Sequence, residues 1–283
     1  MNIIESKRSN PANKACKALG NKSLKNVLSK WMQYNLIDLV IVLTQKEMKV
    51  RYKSSFLGYF WSIGHPLAFA FVFFIAFKIV MRIEMENYAL FLIAGLFPWQ
   101  WFSNSVNMSP MVFLGNASII KKINFPRDII PFTTVLQDMI HFLLSIPVIV
   151  LFLFIYQKSP SLSWLYGIPL LLIIQFLITF GVSLVVSSVN LFFRDLERLT
   201  SIFVTLFFYF TPIIYPETMI PETYKPLINL NPLAPLVISW RNLFLKGALD
   251  PSYLLMSLLY AILVFALGYQ VYRKLSWRFA EIL

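Results

Sequence analysis

Charge is scarce in this chain. Only 13% of its 283 residues are Asp, Glu, Lys or Arg, roughly half the ~25% usual in soluble domains. The apolar fraction is 58% and the mean hydropathy is +0.68. So much apolar surface does not fit inside one aqueous core of this size, and a membrane solvent is the simpler reading. Cysteine is nearly absent: Cys16 stands alone, which excludes an intrachain disulfide and a thiolate metal site. The two histidines, His65 and His141, have no metal-ligand spacing. No Gly-Lys dipeptide occurs, so the chain has no Gly-rich phosphate-cradling loop and is not itself an ATPase. Acidic residues number 13 against 25 basic ones. Glu84, Glu86, Glu217, Glu222 and Asp250 are scattered without chelating spacing, and no Ser-His-Asp or paired-carboxylate set stands out. Residues 1–30 are basic and polar but hold no continuous apolar core of the kind a secretory leader needs.

What the chain does have is long uncharged runs. Stretches free of Asp, Glu, Lys and Arg cover 54–77, 87–120, 139–157, 159–193, 199–216 and 251–272. A spanning helix needs roughly 20 residues, so each run supplies one span. Gly95, Pro98 and Pro110 are expected to break the second run. The expected fold is all-α and membrane-integral, with six spans at about 57–80, 88–112, 132–156, 167–191, 199–215 and 252–273. Residues 1–30 form a polar basic tail, expected on the cytoplasmic side, and 31–283 form one transmembrane domain. Within 31–53, the apolar part (31–43) is too short to span and carries Asp38, and a basic stretch follows; the pattern suits an amphipathic helix lying in the interface. Seven prolines between 212 and 251 predict a re-entrant hairpin between spans five and six, because broken helix at membrane depth must be shielded by protein or face water.

Six spans put both termini on one side. That side carries 19 of the Lys and Arg residues and the other carries 6. By the positive-inside rule the expected orientation is N-in, C-in, and the strongly basic balance reports membrane orientation rather than nucleic-acid binding.

The loop after span two runs from Ile119 to Pro131. It mixes the cations Lys121, Lys122 and Arg127 with the apolar Ile119, Phe125 and Pro126. Orientation alone needs only the charges; an apolar wedge among them suits docking to a partner protein. Asp138 is the acid inside an apolar span, three residues before His141 and on the same helix face. Such a carboxylate is paired or functional by default, and a structural pair near the inner interface is the favoured reading. Ser183, Ser187 and Ser188 read as small-residue helix packing.

The 119–131 loop resembles the coupling segment of type-two ABC exporters that move polysaccharides. So does the segment Lys49 to Ser62, which is similar to the family's approach to span one. The inner loop Asn190 to Arg198, and the segments Pro212 to Pro216 and Asn231 to Pro235, are further matches. The ending, Arg278 to Leu283, looks like that of O-antigen export permeases. The resemblance covers about 31–283 in order, and the tail at 1–25 falls outside it. It implies a homodimer of this permease joined to two copies of an ATP-binding subunit. ATP and Mg would sit on that subunit, and no cofactor on this chain. The cargo it implies is a glycan on undecaprenyl diphosphate, moved from cytoplasm to periplasm across the bacterial inner membrane, with O-antigen favoured over capsule or teichoic acid. The interfacial helix and the start of span one would form the cytoplasmic gate, and the hairpin the periplasmic one.

Physical chemistry then selects candidates. A diphosphate needs cationic donors near the inner interface, which Arg51 and Lys53, flanking Tyr52, supply; attraction to anionic lipid is the other reading. A sliding glycan needs weak, repeated contacts from aromatic faces and neutral polar groups. Phe97, Trp99, Trp101, Asn104 and Asn107 are the channel candidates, with an interfacial aromatic belt the alternative for the two tryptophans. Two rival classes stay open: a secondary carrier, which needs ionisable groups along a path and finds only Asp138, and a membrane-embedded glycan-assembly enzyme, which needs acidic or metal-binding loops.

Overall fold

A computed structural model describes residues 36–49, 61–80, 82, 85–122, 125–224, 226 and 230–282. The tail at 1–30 and the proposed gate residues Arg51, Tyr52 and Lys53 lie outside the described residues. Every regular element among the described residues is helical. In chain order these are α1 (36–49) and α2 (Trp61–Phe73), which widens into a π-helical segment, Phe74–Val80. They continue with α3 (Tyr88–Met108), the short α4 (Val112–Gly115) and α5 (Ala117–Lys122), α6 (Ile129–Ile155) and α7 (Trp164–Asn190). The last are α8 (Leu196–Phe210), α9 (Ala234–Lys246), α10 (Pro251–Leu275) and α11 (Phe279–Ile282).

The pattern of burial is inverted relative to a water-soluble bundle. Leu143, Leu151, Phe154 and Ile155 of α6, Leu165 and Ile173 of α7, and Leu255, Leu259, Ile262 and Leu263 of α10 are exposed. Thr133, Gln137, Asp138, Gln175, Thr179, Ser183, Ser187 and Ser257 are buried. Apolar faces outward and polar groups inward are what a hydrocarbon solvent selects. Ile129–Ile155, Trp164–Asn190 and Pro251–Arg278 are long and apolar enough to cross a bilayer, with mean hydropathies of 2.4, 2.5 and 2.0.

α3 is the central helix: 15 of its 21 residues are buried, so it contacts protein nearly all round. The expected break at Gly95 and Pro98 does not occur, and α3 runs through both. Proline removes one N–H, the donor to the Ala94 carbonyl, and crowds the preceding turn; the helix nonetheless continues, packed on nearly all sides. Gln175 of α7 donates to the Pro98 carbonyl at 2.7 Å and accepts from Trp240 Nε1 of α9 at 2.6 Å. One amide thus ties three helices together. The run does turn at Pro110, in a 3₁₀ segment, Ser109–Met111, whose Pro110 carbonyl accepts from Asn190 Nδ2 at 2.8 Å.

α7 and α10 approach until their backbones touch. A methyl on Gly181 would lie 2.7 Å from the Val264 carbonyl oxygen and 2.8 Å from Phe265 Cα, and one on Gly268 would strike the Gly181 carbonyl. Glycine here permits close packing where lipid supplies no hydrophobic drive between helices. The serines expected in that role, Ser183, Ser187 and Ser188, are also buried.

Helix α8 departs from the expected span at 199–215. It is 15 residues long, about 22 Å at ~1.5 Å per residue, and ends at Phe210 with an extended Thr211. The chain then packs Pro212, Ile213 and Ile214 as a buried turn.

Candidate functional site

Side-chain contacts gather the connecting segments into two ends of the molecule. At one end Lys46 of α1 donates to Asn116 Oδ1 at 2.6 Å, Asn190 meets Pro110, and Arg127 Nη1 donates to the Ser276 carbonyl at 2.8 Å. This end therefore collects basic residues from four parts of the chain: Lys46, then Lys121, Lys122 and Arg127, then Arg194 and Arg198, then Arg273, Lys274 and Arg278. At the opposite end Tyr88 donates to the Ile214 carbonyl at 2.7 Å, Tyr253 to Glu217 at 2.7 Å, and Trp164 Nε1 to the Leu243 carbonyl at 2.9 Å.

Within the basic end, the 119–131 loop divides. Lys121, Lys122 and Pro126 are exposed, while Ile119, Phe125 and Arg127 are half-buried. Phe125 packs against the core. Ile123 and Asn124 lie outside the described residues. Asp128 precedes α6; burial pushes its carboxyl above the ordinary value, against the opposing pull of the backbone N–H groups of Asp128 and Ile129. At the same end the turn after α7 exposes Phe193 at 69% and, with it, Arg194, Asp195 and Arg198. An apolar ring among charges at a membrane-protein end has the composition of a docking surface.

The channel candidates separate by environment. Phe97, Trp99 and Trp101 are buried among this chain's own helices. Trp101 stacks on Phe142 at 5.6 Å and donates to the Val135 carbonyl at 3.1 Å, and Trp99 meets Phe102 and Phe208. Asn104 and Asn107 face outward. Asp138 and His141 are both buried on α6, and Ser105 of α3 donates to Asp138 Oδ2 at 2.8 Å.

The opposite end holds the element that sequence reasoning missed. Arg241 of α9 is 7% exposed. Its Nη2 donates to the carbonyls of Pro212 and Ile213 at 2.8 and 3.0 Å, and its guanidinium lies 3.6 Å over the Phe91 ring centroid. With Tyr88 on Ile214, three consecutive carbonyls of the turn are each held by a side chain from another helix. The turn has no helix to satisfy those acceptors, and a cation just past the C-terminus of α8 also opposes the negative end of its dipole. Gly95 is required beneath: a methyl there would lie 2.8 Å from Arg241 Nη2. The signal was available, since Arg241 directly follows the uncharged run 226–240 and a charge at membrane depth is rarely idle. Next to this turn a cavity of about 620 Å³ is lined by Phe207, Phe210, Tyr215, Met219, Tyr224 and Asn231 among others. Its polar lining is already engaged: Asn231 donates to Thr211 Oγ1 and accepts from the Leu233 N–H, both at 2.9 Å.

A profile of ABC-2 type transporters matches residues 38–245. An O-antigen export system permease protein of Klebsiella pneumoniae, RfbA, is 51% identical over 255 residues, covering 89% of this chain and 98% of that protein. The RfbA protein of Myxococcus xanthus is 32% identical over 80% of this chain and 87% of its own length. The polysialic acid transport protein KpsM of Escherichia coli is 24% identical over 81% and 90%.

Proposed function

The chain belongs to the ABC-2 type transporter family as a membrane-embedded permease subunit, and from that premise we propose that it exports lipopolysaccharide O-antigen, carried on undecaprenyl diphosphate, across the bacterial inner membrane. The observation that carries the reading is the 51% identity to the Klebsiella pneumoniae O-antigen permease over nearly all of that protein's length. The 24% identity to a polysialic acid transporter makes capsule export the second reading. The proposed assembly is a homodimer with two ATP-binding subunits.

In this reading the basic end faces the cytoplasm, as expected from charge bias, and six spans with N-in, C-in orientation remain the proposed topology. Lys121, Lys122 and Pro126 present the docking face for the ATP-binding subunit. Ile119 and Phe125 fix that face to the bundle, supported by their partial burial. Arg51, Tyr52 and Lys53 are assigned to the lipid diphosphate and the inner gate on sequence grounds alone. For the glycan path, the outward-facing Asn104 and Asn107 are better placed than Phe97, Trp99 and Trp101, whose rings are used in the subunit core. Asp138 and His141 serve packing, supported by their burial and the Ser105 bond. The turn held by Arg241 belongs to the outer gate.

Charge reversal at Lys121 and Lys122 tests the docking role. The double variant is expected to reach the membrane at normal levels and to lower export at least tenfold, with a matching loss of the ATP-binding subunit on co-purification. Unchanged export at normal protein levels contradicts it.

A further inference from the structure

We infer that the segment Ser276–Ile282 is a brace that holds the coupling loop in position, and that Arg127 is a positioning residue acting through this brace. The inference rests on the docking role proposed for the loop. It comes from where the last helical turns of the described chain go. After α10 the helical path continues through a 3₁₀ turn, Ser276–Arg278, into the short α11. Phe279 is fully buried, with its ring 4.9 Å from Phe113 of α4 and 6.0 Å from Tyr272 of α10. Phe113, itself fully buried, begins the α4–α5 stretch that carries Lys121 and Lys122. At the other end of the loop, Arg127 Nη1 donates to the Ser276 carbonyl at 2.8 Å. The two contacts flank the exposed lysines on both sides in sequence, one ring contact before them and one charge-assisted hydrogen bond after them.

Short helices of four and six residues do not hold their own shape in water, and Pro126 prevents a longer one from forming. Something outside the loop must fix its angle if movement of a partner is to reach the bundle. The brace supplies that fixation, and α1 adds to it from the other flank through Lys46 on Asn116. Because its guanidinium donates inward, Arg127 contributes to docking by setting the loop's angle, whereas Lys121 and Lys122 carry the free charge.

The test uses the full complex of this chain with its ATP-binding subunit in proteoliposomes containing lipid-linked polymer. Phe279→Ala, Arg127→Ala and Arg127→Lys are compared, with the Lys121/Lys122 reversal alongside. The measured quantity is polymer exported per ATP hydrolysed. The brace predicts that Phe279→Ala and Arg127→Ala each lower this ratio at least fivefold, with basal hydrolysis within twofold of the parent in Phe279→Ala. Arg127→Lys, which keeps one donor, holds the ratio within twofold of the parent. A nitroxide at Lys122→Cys, in a Cys16→Ser background, should become more mobile in both Ala variants even if Phe279→Ala lowers the yield of complex. A parental ratio and unchanged label mobility in Phe279→Ala overturn the brace. Arg127→Lys as damaging as Arg127→Ala also overturns it, since it would place the guanidinium on the partner. Failure of the docking reading is separate: it shows as full export in the Lys121/Lys122 reversal, whatever the brace variants do.

Discussion

At the scale of single residues, Arg241 is a cation only 7% exposed. A buried cation is costly unless its donors find acceptors; here Nη2 reaches two backbone carbonyls and the guanidinium covers Phe91, while Nε has no hydrogen-bond partner among the described residues. Arg241→Met fills much of the space but orphans both carbonyls. Charge-assisted bonds are worth about 1.5–3 kcal/mol each, so a loss of roughly 2–5 kcal/mol is expected, read as a lower thermal midpoint of the purified permease in detergent. Arg241→Lys should fall between the two, because it keeps the charge without the fork. Gly95→Ala should mimic Arg241→Met by pushing on Nη2; a midpoint within a degree of the parent in both would remove the latch. Sequence reading named Asp138 because it stood inside an apolar run, and passed over Arg241 because it stood at the edge of one. What makes Arg241 matter is the turn at 212–214, which is 27 or more positions away and has no local signal of its own.

At the scale of elements, the polarity and length of three long helices were legible, and interruptions only in part: the break expected at Pro110 occurs, those at Gly95 and Pro98 do not. The uncharged runs at 139–157, 159–193 and 251–272 correspond to α6, α7 and α10, because a bilayer imposes both length and composition on a spanning helix. The run at 87–120 was expected to break at Gly95 and Pro98, yet α3 continues to Met108. A proline's effect depends on the packing around the helix, and the contacts of this stretch come from far along the chain: Gln175, which bonds the Pro98 carbonyl, is 77 residues away. The α7–α10 contact shows the same limit: small serines suggested close packing, but Gly181 and Gly268 make the closest approach. Gly181→Val should separate these helices. The overpacking penalty is typically about 1–3 kcal/mol, and with backbone as the obstacle the upper end is expected, seen as a reduced thermal midpoint and faster proteolysis after Arg278. Gly115→Val, where nothing lies within 4 Å of an added methyl, is the control and should leave both unchanged.

At the scale of the whole molecule, the family was legible because its marks are spread along the chain in order: a basic-apolar loop, a charged inner turn and two Pro-rich segments, set among long uncharged runs. Each is weak alone. Taken together they point to the family that the profile over 38–245 and the 51% identical relative show. Assembly was less legible, since burial of the tryptophans in α3 depends on which helices surround it. The absence of a nucleotide cradle was legible from the start; the central claim, that this chain is the permease subunit of an ATP-driven exporter, rests on the family profile and the 51% identical relative. The direct measurement is ATP hydrolysis by the purified chain in proteoliposomes, with and without the ATP-binding subunit and undecaprenyl diphosphate-linked O-antigen. The account predicts no turnover by the chain alone, turnover on adding the subunit, and a further rise, together with polymer appearing across the bilayer, on adding the lipid-linked glycan. Robust hydrolysis by the chain alone, or polymer transport that proceeds without the ATP-binding subunit, would contradict it.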